Sequence, residues 1–207
     1  MLSDLSTNEV GVDSLAERAL KDEERLSGLL EGILSKKEAI RYNSFKALLL
    51  ISEEHPEVLY PRWDFFAGLI NSANTYLKYI AIYIIANLTR VDTESKFEKI
   101  FNQYYNLLDD RSIIPAGHVA GNSGKIAKAK PELQVEITSR LLGIDKTRHK
   151  PERKDLIKSY AIESFSEYFE EADDKNEIIE FVEKQLISKS PKTRKKAKEF
   201  LEKWAKS

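Results

Sequence analysis

The sequence predicts an all-α protein, and three observations support that fold class. Glycine and proline number only 8 and 6 among 207 residues, so the turns that many short strands require are scarce. Valine and threonine, which favour strands, total 14. Apolar residues instead recur at helical spacing, as in the segment that contains Ile40, Phe45, Leu48 and Ile51. That spacing predicts long amphipathic helices.

Composition excludes several classes of function. The chain has 33 basic and 34 acidic residues, so its net charge of −1 provides no general attraction to nucleic acid or anionic membranes. Cysteine is absent, which excludes disulfides, thiol nucleophiles, iron–sulfur clusters and thiolate zinc sites. No apolar run is long enough to cross a membrane, and Asp4 and Glu9 occupy a region where a secretory signal carries cations. We expect a cytoplasmic protein without a membrane partner.

A pattern recurs five times along the chain. A Ser or Asp is followed six residues later by an Arg or Lys anchor, then by a small residue at +3 and apolar residues at +7 and +10. The five copies are Ser35, Arg41, Ser44, Leu48 and Ile51; Ser72, Lys78, Ala81, Ile85 and Leu88; the degenerate Asp110, Ala116, Val119, Ser123 and Ile126; Glu152, Lys158, Ala161, Phe165 and Tyr168; and Ser188, Arg194, Ala197, Leu201 and Trp204. The anchors at 41, 78, 116, 158 and 194 are 37, 38, 42 and 36 residues apart.

A period near 40 residues is that of a two-helix unit. The anchors lie on the second helix of each unit, and the first helices are predicted at 23–34, 56–70, 94–108, 132–142 and 175–187. The segments 51–57 and 126–132 share the sequence Ile-x-x-x-x-Pro-Glu, which predicts a common ending of the second helix. A charged, proline-containing loop at 144–152 accounts for the longer fourth step.

The spacing and the Pro-Glu endings resemble the HEAT/armadillo class of helical repeats, specifically HEAT-like units. The resemblance covers about residues 23–207 and implies a right-handed α-α superhelix of about five repeats. We expect a flexible tail at 1–12, as is common for chain termini, and one repeat domain at 13–207. The resemblance further implies a ladder of hydrogen bonds between the anchor cations, the Ser or Asp residues and loop carbonyls. The expected core residues are Ile40, Phe45, Leu48, Leu77, Ile85, Ile157, Phe165 and Leu201.

In HEAT-like arrays the second helices line the concave surface, and positions +1, +5 and +9 from the anchors are expected to face outward there. They are Tyr42, Lys46 and Leu50; Tyr79, Tyr83 and Asn87; Gly117, Gly121 and Lys125; Ser159, Glu163 and Glu167; and Lys195, Glu199 and Lys203. Tyrosine is favoured in protein interfaces, although a tyrosine on a helix can equally be a packing residue. The predicted partner-binding residues are Tyr42, Lys46, Tyr79, Tyr83, Gly117, His118, Gly121, Lys125, Glu163 and Glu167.

Gly117, Gly121 and Gly124 share one side of a predicted helix, where each costs about 1 kcal/mol relative to alanine. Two features can offset this cost in helix stability. One is close packing of neighbouring second helices, and the other is a notch at which a partner backbone approaches. The spacing around Gly124 and Lys125 does not fit a phosphate-binding loop. His118 lies beside these glycines and is expected to be a partly buried hydrogen-bonding residue, because His55 and His149 are too distant to form a metal site with it.

Charge separates near the C-terminus: residues 160–183 carry 9 acids and 1 base, and residues 184–207 carry 9 bases and 2 acids. A solvated terminal repeat explains this pattern. The alternative is nucleic-acid binding through the inner face and the basic residues Lys192, Arg194, Lys195, Lys196 and Lys198.

The sequence contains no convincing catalytic assembly, and no cofactor or metal is expected. The paired acids Asp109 with Asp110 and Asp173 with Asp174 fit helix capping. HEAT-like folds include DNA glycosylases, but here Trp63 belongs to a first helix and Trp204 ends the last one, which does not suit their aromatic pocket. The sequence therefore predicts a non-enzymatic scaffold that binds a protein partner on its concave face.

Overall fold

The computed structural model describes residues 11–204, and within them it contains helices and no strand. The prediction of an all-α fold is therefore confirmed. The eleven longer helices of this described part are α1 (Val12–Ala19), α2 (Glu23–Gly32), α3 (Glu38–Glu54), α4 (Trp63–Leu69), α5 (Thr75–Leu88), α6 (Lys96–Asn106), α7 (Ile113–Ala129), α8 (Gln134–Leu142), α9 (Pro151–Tyr168), α10 (Lys175–Lys184) and α11 (Pro191–Trp204). Short 3₁₀ turns extend several of these helices.

The predicted first helices coincide with α2, α4, α6, α8 and α10 and their adjoining turns. The segment predicted as one helix at 56–70 is divided into an α-helical turn at Pro56–Leu59, a 3₁₀ turn at Tyr60–Arg62, and α4. The division falls at Pro61, which has no backbone N–H to continue an α-helix. Helix α1 was not predicted; it buries Leu15, Ala16 and Ala19. Of the predicted flexible tail, residues 1–10 lie outside the described residues.

The chain divides into two compact units between Ser95 and Lys96. In unit 1, α1 and α2 pack on α3, and α3 packs on α5. Its core contains Phe45, Trp63 and Phe66, all at most 2% exposed. A buried hydrogen bond of 2.9 Å from the Asn87 amide to the Ser52 hydroxyl also links α5 to α3. A single domain over 13–207 stays a prediction.

In unit 2, α9 contacts both α7 and α11, and α8 contacts α10. Buried polar contacts join successive helix pairs: the Ser164 hydroxyl donates to the Ala120 carbonyl at 2.5 Å, and the Thr138 and Tyr168 hydroxyls lie 2.8 Å apart. Among the predicted core residues of both units, Ile40, Phe45, Leu48, Ile85, Ile157 and Phe165 are buried. Leu77 and Leu201 are only partly buried.

The predicted pattern corresponds to a recurring local structure. The side-chain oxygens of Ser35, Ser72, Asp110 and Ser188 each accept a hydrogen bond from the backbone N–H two residues later, at 2.8 to 3.2 Å. This turn begins the connection into the second helix. In the first and last copies the anchor guanidinium donates to the carbonyl of the same Ser residue: Arg41 to Ser35 at 3.2 Å and Arg194 to Ser188 at 2.6 Å.

The endings of α3 and α7 also match. His55 has φ −133° and ψ 58°, and Lys130 has φ −130° and ψ 71°. Their N–H groups bond to the carbonyls of Ile51 and Ile126 at 2.7 and 2.8 Å. Each residue precedes a proline, which disfavours helical dihedrals at that position. In the fourth copy, which lacks the Ser or Asp, the buried anchor Lys158 instead forms an ion pair of 2.7 Å with Asp145.

Candidate functional site

The most prominent surface feature of unit 1 is a cluster of five aromatic side chains on α3 and α5, here called the tyrosine cluster. It consists of Tyr42, Phe45, Tyr76, Tyr79 and Tyr83. The Phe45 ring lies at its base, 2% exposed, with the ring centroids of Tyr76, Tyr79 and Tyr83 at 6.2, 5.1 and 6.4 Å. Such edge contacts between rings are favourable and hold the rings in defined positions.

Exposure differs among the predicted tyrosines. Tyr42 is 51% exposed, whereas Tyr79 and Tyr83 are half-buried with ring centroids 4.9 Å apart. The structure therefore packs Tyr79 against Tyr83 and places Tyr42 close enough to Tyr79 to raise its pKa. Tyr76 was missed because it precedes the anchor Lys78 and so falls outside the counted positions. Its spacing of three residues from Tyr79 was the available signal.

Two cations accompany the tyrosine cluster. The Arg41 guanidinium lies 4.8 Å from the Tyr76 ring centroid, and the Lys46 ammonium lies 5.9 Å from that of Tyr42. Neither forms an ion pair with a carboxylate in the part of the chain that the structure describes. The nearest acid along α3 is Glu38, an exposed residue one turn before Tyr42. The polar rim of the cluster is therefore cationic.

Burial affects the phenols at the base of the cluster. Burial raises the pKa of Tyr76, and the positive charge of Arg41 opposes that rise. Burial also raises the pKa of Tyr79, and Tyr42 adds to the effect. The Tyr76 hydroxyl and Arg41 Nε are buried without a hydrogen-bond partner. The phenols are thus neutral at physiological pH.

In unit 2, the glycines of α7 lie against α9. A Cβ at Gly117 would be 3.3 Å from the Tyr160 ring, and one at Gly121 would be 3.6 Å from it. At Gly124 it would be 2.8 Å from the Ser164 carbonyl oxygen. Close packing of second helices is therefore the compensation that the structure shows at these positions. The other expectation was a notch that a partner backbone approaches. The Tyr160 ring occupies that space.

Three positions expected to face outward do not. Asn87 is buried because its amide bonds to Ser52, and Gly117 is buried beneath Tyr160. Ser159 is 0% exposed, and its hydroxyl donates to the Leu156 carbonyl. For these residues the predicted orientation is wrong, because packing against a neighbouring helix covers them.

The remaining predicted residues of unit 2 lie near one another in a face of mixed charge. Burial raises the pKa of Glu167, although Lys125 and Lys128 oppose the rise. Glu163 pairs with Lys196 at 3.3 Å. His118 is partly buried, and burial lowers its pKa. Glu163 is therefore paired with a cation, whereas burial outweighs the neighbouring cations at Glu167.

The basic residues of α11 are engaged within the protein. Lys192 lies 3.6 Å from the Tyr160 ring centroid, and Arg194 donates to the carbonyls of Ser188 and Lys189. The other ion pairs of this group are Lys195 with Glu199, Lys196 with Glu163 and Glu199, and Lys198 with Glu202. Three of these five cations thus pair with carboxylates of α9 or α11, which weakens the electrostatic case for nucleic-acid binding.

Two open surface cavities occur in unit 2. One, of about 600 Å³, is lined by residues such as Asp145, Lys158 and Phe181. The other, of about 650 Å³, is lined by residues such as Asp109, Val135 and Arg140. The predicted partner-binding residues line neither cavity. Among the described residues no group of His, Asp and Glu side chains is placed to hold a metal ion.

None of the helices in residues 11–204 combines the length and apolar character needed to cross a bilayer. Comparison of the chain with protein-family models, with curated proteins and with solved structures found no match. The class that the fold defines is therefore an all-helical protein, and the site must be interpreted from its own residues.

Proposed function

We propose that the chain is a HEAT-like repeat protein that binds a protein partner through the exposed face of its second helices and performs no chemistry. The repeat architecture is supported by the shared turns at Ser35, Ser72, Asp110 and Ser188. The five-unit right-handed solenoid remains a prediction from the repeat period. The observation that carries the binding function is the tyrosine cluster on α3 and α5.

Tyrosine suits a contact surface for a physical reason. It presents a large area with only two rotatable side-chain bonds, so it loses little conformational entropy on binding. In the tyrosine cluster this cost is lower still, because the rings of Tyr79 and Tyr83 already rest on Phe45 and on each other. Tyr42, at 51% exposure, supplies the accessible apolar surface. A preorganised aromatic patch is the usual centre of a protein interface.

The face formed by α7, α9 and α11 has a secondary role in this proposal. Its Tyr160 ring lies against Gly117 and has the Lys192 ammonium 3.6 Å from its centroid. Its ion pairs would have to be broken for a partner to use those charges, which costs desolvation and Coulomb energy. We therefore place the primary contact in unit 1 and treat contacts by Gly121, Lys125 and Glu167 as secondary.

Affinity capture with matched variants tests the proposal. The purified chain, Tyr42→Ala and Val135→Ala are immobilised, and proteins retained from an extract of the source cells are quantified by mass spectrometry. Val135 is the control because it is also 51% exposed but lies in unit 2. We expect a defined set of proteins to be lost with Tyr42→Ala and kept with Val135→Ala. Equal retention by all three chains would remove the tyrosine cluster as a binding surface.

A further inference from the structure

We propose that the segment recognised by the tyrosine cluster is an extended acidic peptide that carries an apolar side chain on the same side as its carboxylates. The inference rests on the proposed function and specifies the partner that this surface suits. It follows from the charges around the rings, because Arg41 and Lys46 lack carboxylate partners among the described residues. Complementary charge gives an interface its specificity and increases its association rate.

The arrangement within the cluster indicates how such a segment would be held. The Lys46 ammonium lies 5.9 Å from the ring centroid of the accessible Tyr42, and the Arg41 guanidinium lies 4.8 Å from that of Tyr76. Both cations therefore belong to the rim of the same cluster. Their positions on α3 differ by about 7.5 Å along the helix axis, at about 1.5 Å per residue. Carboxylates two positions apart in an extended chain lie on the same side of it and span about 7 Å, at about 3.3 Å per residue. An apolar side chain two positions beyond either carboxylate shares that side and would meet Tyr42.

The second helices of unit 2 provide a contrast within the same protein. There Lys196 contacts Glu163 and Glu199, and Lys192 lies over Tyr160. Lys196 already has its counter-charges, so an acidic segment gains little from it, whereas Lys192 contacts a ring as Arg41 and Lys46 do. Arg41 keeps Nε buried without a hydrogen-bond partner, and its remaining contacts are a carbonyl and a ring. Two cations without a carboxylate partner among the described residues therefore lie at the tyrosine cluster.

Selection from a phage-displayed library of random 12-residue peptides tests this inference. Peptides are selected on the full chain and counter-selected on Tyr42→Ala, and their affinities are then measured for the full chain, Lys46→Glu and Lys99→Glu. Lys99 is an exposed lysine of α6 in unit 2 and is the matched charge-reversal control. Circular dichroism confirms that each variant is folded. We expect enrichment of Asp and Glu over Lys and Arg, and an affinity loss of about tenfold for Lys46→Glu alone.

The outcomes separate this inference from the proposed function. Tyrosine-dependent peptides without an acidic bias, or acidic peptides that bind Lys46→Glu as well as the full chain, would overturn the inference and leave the protein-binding function standing. A selection that yields no tyrosine-dependent peptide would overturn both. A single-stranded DNA oligonucleotide that displaces the selected peptides and binds more tightly, with loss of binding in Lys46→Glu, would overturn the acidic-peptide assignment in favour of nucleic acid.

Discussion

The glycines of α7 provide the sharpest test of the packing between α7 and α9. Replacing each by alanine adds one methyl group on the same helix, but the three methyl groups meet different clearances. At Gly121 the nearest atom is a Tyr160 ring carbon at 3.6 Å, an ordinary contact. At Gly117 the ring lies at 3.3 Å, and at Gly124 the Ser164 carbonyl oxygen lies at 2.8 Å. The carbonyl belongs to the backbone of α9 and cannot move aside by itself.

Two opposing effects set the expected magnitudes. Alanine in a helix interior is more favourable than glycine by about 1 kcal/mol. Adding a methyl group to a packed interface costs about 1 to 3 kcal/mol when the surroundings must shift. We therefore expect Gly121→Ala to raise the free energy of unfolding by about 0.5 to 1 kcal/mol and Gly117→Ala to leave it nearly unchanged. Gly124→Ala is expected to lower it by about 1 kcal/mol.

Urea unfolding followed by far-ultraviolet circular dichroism measures all three variants against the unmodified chain. A further variant separates the neighbours of Gly124, because a Cβ there would also lie 2.7 Å from Glu167 Cδ. Adding Glu167→Ala to Gly124→Ala should recover only part of the loss, since the Ser164 carbonyl remains. The reasoning is refuted if Gly124→Ala is as stable as Gly121→Ala, because the two helices would then not be in the close contact described.

Other predictions concern hydrogen bonds and pH. Tyr60→Phe should lower the free energy of unfolding by about 1 kcal/mol. The reason is that the Tyr60 hydroxyl donates a hydrogen bond of 2.7 Å to Asp92, which is 8% exposed. An unchanged urea midpoint would contradict this prediction. Asp109→Asn should destabilise the chain at pH 7, because the Arg148 backbone amide holds the pKa of Asp109 below its usual value. The stability difference between Asp109→Asn and the unmodified chain should shrink in unfolding curves below about pH 3.8. In that range Asp109 becomes protonated in the unfolded chain, so its ionised form no longer favours the folded chain as strongly. Glu167→Gln should raise the thermal midpoint at pH 7, because burial raises the pKa of Glu167 and its ionised form therefore costs stability. The difference in thermal midpoint between Glu167→Gln and the unmodified chain should vanish below about pH 4.5, where Glu167 is protonated in both the folded and the unfolded chain. A difference that persists there would contradict the argument.

Much of the local structure follows from the order of residues along the chain. The positions of the second helices were predictable because Ser35, Ser72 and Ser188 form the same turn before each one. Likewise, the prolines after His55 and Lys130 restrict both residues to similar dihedrals. These features involve atoms within a few residues of one another. The spacing of residue types along the chain is therefore enough to predict these turns and helix endings.

The candidate site was predictable only in part. Counting from the anchors placed Tyr42, Tyr79 and Tyr83 on one face, because residues four apart on a helix share a side. It did not reveal that Phe45 supports the rings of Tyr79 and Tyr83, nor that Tyr76 stacks with Arg41. Both contacts join α3 to α5. They depend on how two helices pack and not on the period of either one.

The difference between what the sequence predicted and what only the packing of helices determined is clearest at Tyr160. Periodicity predicted that the chain is helical and which residues of the second helices share a face, although it did not reveal α1. Packing between helices determined that Tyr160 lies against Gly117 and beneath Lys192. It also determined that Lys196 of α11 meets Glu163 of α9. Helical periodicity arises from local backbone geometry, whereas the neighbour that covers a face is chosen by contacts between residues tens of positions apart.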